Sequence, residues 1–188
     1  PKHIGIVTSS STAAFQDIIS TVKRRSPSSQ ISLSEATVQG DNAHVSIIKA
    51  LNRIINFNEV NPDNKIDVVI LSRGGGSIED LWCFNNEELA REIYSFPIPT
   101  ISGVGHEIDF TICDFVSDIR VPTPTATAEL VTEFNFQFMD KIQDNKIRLH
   151  KNIINIFDDF KQVINLNNTR LKSPITLLRE KSQRLDNL

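Results

Sequence analysis

The chain has 188 residues, of which 39% are hydrophobic and 23% are charged, and its formal net charge at pH 7 is −3. This composition is typical of a soluble globular protein, and the negative charge excludes a polycation that coats nucleic acid. The two cysteines, Cys83 and Cys113, are too few for a disulfide framework or a thiolate zinc site, and they favour a reducing compartment. The longest apolar runs, such as residues 68–71, are far shorter than the roughly 20 residues that cross a bilayer, so no membrane contact is expected.

The first residues indicate a piece of a longer protein. The chain begins with Pro1 rather than Met and enters a strand pattern at once. Residues 1–20 contain no apolar segment of the kind that a signal peptide carries. We therefore expect an excised fragment without a secretion signal.

Short apolar runs alternate with amphipathic stretches over the first 120 residues. The predicted strands are residues 4–8, 30–36, 67–72 and 99–104, and the predicted helices include residues 13–25, 43–55 and 108–118. Between the third and fourth strands, capping-box-like patterns at Ser77 with Asp80 and at Asn85 with Glu88 predict a short helix and then a longer one that runs to about Tyr94. Residues 120–125, with two prolines, are expected to be non-helical. The second helix is expected to bury one face, made of Val45, Ile48, Leu51 and Ile55. Repeated strand–loop–helix units predict an α/β fold, a Rossmann-like open parallel sheet of about four strands flanked by helices.

A different pattern begins at Ala126 and runs for about 45 residues, until Ser173 and Pro174. Apolar residues recur every seven positions in two adjacent stripes, one at 142, 149, 156 and 163 and the other at 157, 164 and 171. The face they form is too wide for a two-stranded coiled coil. We predict an α/β domain over 1–124 and a truncated helical, coiled-coil-like segment over 125–188. The long helix is expected to pack on other helices, from a second copy or another chain, although docking along its own domain remains an alternative.

The loops after the four strands carry most of the chemistry. They are residues 9–12, 39–42, 73–77 and 105–109, and they concentrate glycine, hydroxyl and ionisable groups. Ligands of open parallel sheets bind beyond the carboxyl ends of the strands, where these loops lie. We therefore place the functional site there, with Ser9, Ser10, Ser11 and Gln39 as candidate phosphate-binding residues.

The loop after the third strand has the strongest binding signal. Arg73 is followed by three glycines, Gly74, Gly75 and Gly76, and then by Ser77 at a helix start. Glycine lets backbone N–H groups approach an anion closely, and a helix N-terminus favours negative charge. This pattern predicts a phosphate or carboxylate site. A tight turn with Arg73 in a salt bridge is the alternative.

The loop after the fourth strand carries the candidate proton-transfer group. If a helix begins near Glu107, His106 and Asp109 share one face, and the carboxylate can fix the tautomer of the imidazole. A polar loop histidine is the alternative, and His3, His44 and His150 are expected to have ordinary structural roles.

Other residues are less informative. By itself, Asp17 in the first helix reads as a surface acid. Trp82 and Phe84 could stack on nucleobases, but core packing is favoured for both.

The motifs together resemble the exonuclease VII large subunit family. The resemblance covers residues 1 to about 133. It rests on KHIGIVTS (2–9), TVQGD (37–41), RGGGSIEDLW (73–82), GHEIDFTI (105–112), DFVSD (114–118) and PTPTA (122–126). It implies an enzyme of the bacterial cytoplasm, active in DNA repair and catabolism, that degrades single-stranded DNA from either end to short 5′-phosphorylated oligonucleotides. It also implies an OB-fold domain before this segment and a small helical subunit bound through the helical region.

The resemblance also assigns site residues. It implies that Asp17, Arg73, His106 and Asp109 are catalytic, which replaces the surface interpretation of Asp17. The better-known members work without a divalent metal, whereas others need magnesium, so we expect no required cofactor, with magnesium as the alternative. Ser72 stands where some members have glycine.

A mechanism follows as a hypothesis. Arg73 and the glycine loop stabilise the phosphoryl charge, and His106 acts as general base or as acid at the leaving oxygen. Asp109 orients His106, while Asp17 orients it or a water, or ligates magnesium. A small-molecule phosphate enzyme, which the residues alone favour, and an inert assembly module are the alternatives.

Overall fold

A computed structural model describes residues 1–74, 78–105, 108–171 and 173–187, apart from the side chains of residues 78 and 79. The strands are β1 (His3–Thr8), β2 (Gln30–Glu35), β3 (Val68–Arg73), β4 (Thr100–Val104) and β5 (Ile119–Arg120). The helices are α1 (Ala13–Arg25), α2 (Ala43–Val60), α3 (Ile78–Leu81), the 3-10 helix Trp82–Asn85, α4 (Glu87–Tyr94), α5 (Ile112–Val116), α6 (Pro124–Arg170) and α7 (Pro174–Asp186).

The strands form a parallel sheet with the order β2-β1-β3-β4-β5. The predicted α/β class and the open parallel sheet are confirmed. β5 adds a strand that the sequence did not indicate, because two residues are too few to produce a pattern. The strand order reverses between β1 and β3, and at such a point the loops diverge and open a crevice at the carboxyl edge.

Each face of the sheet is covered by helices. Ile18 and Val22 of α1 and Ala128 of α6 pack with Ile4 and Ile70 on one face. The other face is covered by α2, α4 and α5, in a cluster that includes Leu51, Leu89 and Cys113. Burial on both faces explains why β1 and β3 are apolar without alternation.

The buried stripe of α2 differs from the predicted one. Ala43, Ile47, Ala50 and Ile54 join Leu51 inside, whereas Val45 is 37% exposed. The helix carries apolar residues on more than one face, so periodicity alone does not select the stripe that meets the sheet.

Two helix starts also differ from the prediction. α5 begins at Ile112 rather than near residue 108, because Thr111 and Asp114 form a capping box. The N-cap of α4 is Asn86, whose side chain accepts a hydrogen bond from the N–H of Leu89. The capping-box pattern had suggested Asn85 instead, but the side-chain oxygen of Asn85 accepts from the N–H of Ile112.

The long helix and its end are confirmed. α6 has 47 residues, and Ser173 caps the next helix at Pro174. Residues 124 and 125 were expected to be non-helical but begin α6, because proline is tolerated in a first helical turn.

The chain divides into two compact units, Pro1–Gln137 and Phe138–Leu188. Every described residue from 138 to 187 is exposed. Among the described residues, no helix is both long and apolar enough to cross a membrane. The domain boundary between residues 124 and 125 stays a prediction.

Candidate functional site

The loop between β1 and α1 is ordered by its own hydroxyl groups and by a neighbouring strand. Thr12 caps α1, accepting a hydrogen bond from the N–H of Phe15. The side chains of Ser9 and Ser11 are hydrogen-bonded to each other at 3.0 Å. The N–H of Ser10 donates to the Glu35 carboxylate at the end of β2, at 3.0 and 3.1 Å. This predicted phosphate loop therefore already holds a carboxylate of the chain itself.

Arg73 ends β3 and is buried, with 4% of its surface exposed. Its Nη2 lies 2.8 Å from Oδ2 of Asp80, whose side chain is 41% exposed. Its Nη1 is buried and has no hydrogen-bond acceptor among the residues that the structure describes. The salt bridge and the anion site were alternatives in the sequence, but the ion pair engages one amino group only. A buried donor without an acceptor is unfavourable by about 1–3 kcal/mol, which an anionic ligand at Nη1 would remove.

Gly74 brings the loop after β3 against the start of α1. A Cβ added at Gly74 would lie 3.6 Å from Cβ of Ala14, an ordinary contact, and its φ is not positive. Neither sterics nor backbone conformation therefore requires glycine at this position within the described residues. Gly75, Gly76 and Ser77, the rest of the predicted phosphate loop, lie outside those residues.

The loops after β2 and β4 both contact the segment formed by α3 and the 3-10 helix. A Cβ added at Gly105, which has φ +108°, would lie 3.3 Å from Cδ1 of Leu81. Sγ of Cys83 lies 3.7 Å from the carbonyl oxygen of Val38, next to Gln39. The segment that contains Asp80 thus contacts the loops after β2 and β4 as well.

Asp109 lies beside Gly105, immediately after β4. A Cβ at Gly105 would lie 3.1 Å from that of Asp109, and Asp109 is partly buried. Its carbonyl oxygen accepts a hydrogen bond from Nη2 of Arg120 at 3.4 Å. The premise that placed His106 and Asp109 on one helical face is wrong, because Asp109 precedes α5. His106 itself lies outside the described residues.

Asp17 and Gln39 are exposed. The carboxylate of Asp17 makes no hydrogen bond or ion pair with any described residue, so the structure does not join it to Arg73 or Asp109. Its backbone carbonyl accepts a hydrogen bond from the hydroxyl of Ser20. The prediction that Asp17 is catalytic therefore rests on the family resemblance alone.

Sequence reasoning missed two charged residues at this edge, Asp80 and Arg120. Asp80 was considered only as a capping residue, although it stands seven positions after Arg73 in the same motif. Arg120 extends from β5 to the turn at residues 109–110, with its Cζ 4.1 Å from the ring centroid of Phe110. No sequence pattern indicated that contact, because β5 itself was not predicted.

Two expectations about aromatic residues have different outcomes. Phe84 is 1% exposed and belongs to the core, as predicted. Trp82 is 70% exposed, so the prediction of a core role for Trp82 is wrong. In a single turn of 3-10 helix, neighbouring residues point in different directions, and the sequence does not fix which of them faces the sheet.

Burial raises the pKa of the Cys83 thiol, although the nearby Arg73 guanidinium opposes the shift. Cys83 is therefore a neutral thiol near neutral pH and does not compete with a ligand for Arg73. Among the described residues, no group of three His, Cys, Asp or Glu side chains is arranged to hold a metal ion. His3 has the structural role expected of it, since it is buried and bonded to Ser32 and Asn64.

The fold and the Arg73 centre define an open parallel α/β protein with a buried guanidinium at the carboxyl edge of its sheet. The model of the family "Exonuclease VII, large subunit" matches residues 1–188, and the chain belongs to this family. The exodeoxyribonuclease 7 large subunit of Geobacter metallireducens is 42% identical over 188 residues, which cover 100% of this chain and 40% of the relative. That of Brevibacillus brevis is 50% identical over 151 residues, which cover 80% of this chain and 32% of the relative. The chain thus spans well under half the length of these relatives.

Proposed function

We propose that this chain is the catalytic segment of an exodeoxyribonuclease that hydrolyses phosphodiester bonds of single-stranded DNA from either end. The products are short oligonucleotides with 5′-phosphates. The observation that carries the proposal is the convergence of four loops around a buried guanidinium, in a chain of the exonuclease VII large subunit family. Bacterial relatives named exodeoxyribonuclease 7 large subunit support the class of reaction.

The phosphate is bound by Arg73 and by the backbone N–H groups of Gly74, Gly75 and Gly76. Nη1 of Arg73 donates to a phosphoryl oxygen while Asp80 holds Nη2, which fixes the plane of the guanidinium. Ser77 and the hydroxyl-rich loop of Ser9, Ser10 and Ser11, with Gln39, complete the anion environment. Buried donors aimed at developing charge are the largest common contribution to such catalysis.

His106 carries the proton transfer, as base towards the attacking water or as acid at the leaving oxygen. Asp109, held next to Gly105, orients His106, and Asp17 orients the imidazole or the water. We propose that no cofactor is required, and the assay below includes magnesium as the alternative. We further propose a cytoplasmic enzyme that assembles with the small subunit of exonuclease VII, or with its own copies, through α6.

The test is degradation of an end-labelled single-stranded oligonucleotide by the full-length protein, co-produced with its small subunit, in EDTA and then in magnesium. His106→Ala is expected to lower turnover by about 10²–10⁴-fold. Lys151→Ala, at an exposed position of α6 outside both apolar stripes, serves as the control and is expected to match the wild type. Near-normal turnover of His106→Ala would overturn the assignment.

The same assay separates the alternatives. Rescue of the wild type by magnesium alone would recast Asp17 and Asp109 as metal ligands. If the wild type cuts in neither condition, a thermal shift with mononucleotides but not oligonucleotides would favour a small-molecule phosphate enzyme.

A further inference from the structure

A cavity lies at the carboxyl edge of the sheet, beside the segment that carries Asp80, the partner of Arg73. Its volume is about 350 Å³. One side is formed by Gly40, Asp41 and His44, from the loop after β2 and the first turn of α2, and the other by Trp82, Cys83 and residues 85–87. This volume lies at the small end of the range for ligand pockets, about 300–1,000 Å³. The cavity is therefore suited to one ring system rather than to a long chain.

Trp82 gives the otherwise polar cavity an exposed aromatic ring. Trp82 is 70% exposed, although Cys83 and Phe84, the next two residues of the same 3-10 helix, are buried. An indole is among the largest apolar groups of a protein, and exposed tryptophans favour stacking on another ring. Nothing in the fold requires an aromatic residue at position 82, since its neighbours alone attach the 3-10 helix to the core.

The charges of the cavity select against a phosphate and in favour of a base. Its lining contains no Lys or Arg but has two carboxylates, Asp41 and Glu87. Glu87 is paired with Arg91 at 2.7 Å. Asp41 is exposed and His44 is half-buried in the lining of the cavity. A free carboxylate accepts hydrogen bonds from ring N–H and exocyclic amino groups, which nucleobases carry and phosphates do not.

Cys83 links this cavity to the phosphate centre. Its side chain lines the cavity, and its Sγ lies 3.9 Å from the carbonyl oxygen of Asp80. The carboxylate of Asp80 is in turn paired with Arg73. The segment of residues 80–83 thus joins the cavity to the Arg73 site, so that one strand can present a phosphate to Arg73 and a neighbouring base to Trp82.

We propose that this cavity is a nucleobase subsite, in which Trp82 stacks on one base of the single strand next to the phosphate at Arg73 and Asp41 and His44 bind its edge. The inference rests on the proposed nuclease function and adds a residue that positions the strand. Stacking is tolerant of sequence, because every base has a π-face. The subsite therefore fixes the register of the strand without selecting a sequence.

The experiment compares Trp82→Ala with Tyr94→Ala in the full-length protein together with its small subunit. Tyr94 is a matched control, since it is 79% exposed and lies at the opposite end of α4. Trp82→Ala is expected to raise KM for single-stranded DNA by about 5- to 150-fold, with a smaller change in kcat. Trp82→Phe keeps a ring and is expected to recover most of the loss, whereas Tyr94→Ala leaves both constants unchanged.

Substrates with one abasic residue, scanned along the strand, test the stacking itself. At one position the missing base should raise KM of the wild type and remove the difference between the wild type and Trp82→Ala. This measurement on the wild type also decides the question if Trp82→Ala fails to fold. A Trp82→Ala enzyme with unchanged KM, or an abasic scan without such a position, would overturn the subsite.

Fluorescence separates the subsite from the nuclease function. In the His106→Ala background, an oligonucleotide should quench tryptophan emission, and Trp82→Phe should abolish that part of the quenching. Quenching without hydrolysis by the wild type would retain the base subsite and reject the nuclease. Hydrolysis with no Trp82-dependent quenching would retain the nuclease and reject the base subsite.

Discussion

At the scale of single residues, the two amino groups of the Arg73 guanidinium have different roles. Nη2 is neutralised by Asp80, and Nη1 is buried without an acceptor among the described residues. The ion pair fixes the orientation of the planar group, and burial has already removed its water. A ligand that binds Nη1 therefore does not have to order or dehydrate the side chain. Lysine at this position would supply a charge and three donors on one rotating nitrogen, but not two amino groups held in one plane.

Gly74→Ala tests whether glycine is present for the ligand. Among the residues that the structure describes, the added methyl would meet only Ala14, at 3.6 Å, and φ at Gly74 is not positive. We therefore expect the melting temperature to be unchanged or slightly raised, because alanine restricts the unfolded chain. Turnover of single-stranded DNA should nevertheless fall by about 10- to 100-fold, since the methyl displaces an anion from the loop.

Thermal unfolding and the oligonucleotide assay, made on the same preparation, check this prediction. Unchanged turnover would mean that the phosphate does not approach Gly74. A large drop in melting temperature would mean that the glycine serves packing instead.

At the scale of elements, the first turns of α6 belong to the α/β unit and pack against the end of α1. Thr127, Ala128 and Thr132 are buried, and Arg25 at the end of α1 donates from Nε to Thr132. Arg25 also lies over the ring of Phe136, 4.4 Å from its centroid. α1 thus begins beside Gly74 and ends against the first turns of α6.

The contact between β4 and α6 gives a prediction about stability. A Cβ added at Gly103 would overlap Cγ2 of Thr127 and lie 3.3 Å from the carbonyl oxygen of Thr123. Gly103→Ala should therefore lower the free energy of unfolding by about 1–3 kcal/mol. Thr127→Ser removes Cγ2 and keeps the hydroxyl that donates to Pro124, so the double variant should recover part of the loss.

Denaturant unfolding of the four proteins measures the coupling. Thr127→Ser alone is the control and should be nearly neutral. Strictly additive effects of the two substitutions would show that α6 does not press on Gly103.

Prediction from the sequence succeeded where a single physical cause dominates. β1 and β3 were found because strands buried on both faces are continuously apolar, and α6 was found because nothing interrupts it before Pro174. The loops of the site followed from the topology of parallel sheets. The orientation of Trp82 and the pairing of Arg73 with Asp80 depend on tertiary packing, which no local pattern encodes.

At the scale of the whole chain, the unit Phe138–Leu188 has no described residue that is buried. Ile142, Leu149, Ile156 and Val163 are between 46% and 62% exposed. An apolar face of this length is unusual on a protein surface and is typical of an interface. We propose that another helix covers this face, from the small subunit or from a second copy of this chain.

Replacing Leu149 and Ile156 with glutamine should therefore weaken assembly of the full-length protein with its small subunit, while the thermal unfolding of the α/β unit stays the same. The reason is that apolar area at the interface supplies most of the free energy of association. Lys151→Ala and Asp158→Ala, two positions further along in each heptad, are the matched control. Sedimentation velocity and co-purification give the measurement, and equal assembly of both double variants would contradict the prediction.

The hydrogen bonds between Glu35 and Ser10 have a consequence for inhibition. A carboxylate held by its own strand acts on the loop at an effective concentration in the millimolar range or above, as tethered groups generally do. A free phosphate ion must therefore displace a resident anion before it reaches the N–H of Ser10. Under the proposed function, a DNA strand that is anchored elsewhere would carry its phosphate to the loop at a comparable effective concentration. The β1–α1 loop is thus screened against small dissolved anions and remains open to a polymer.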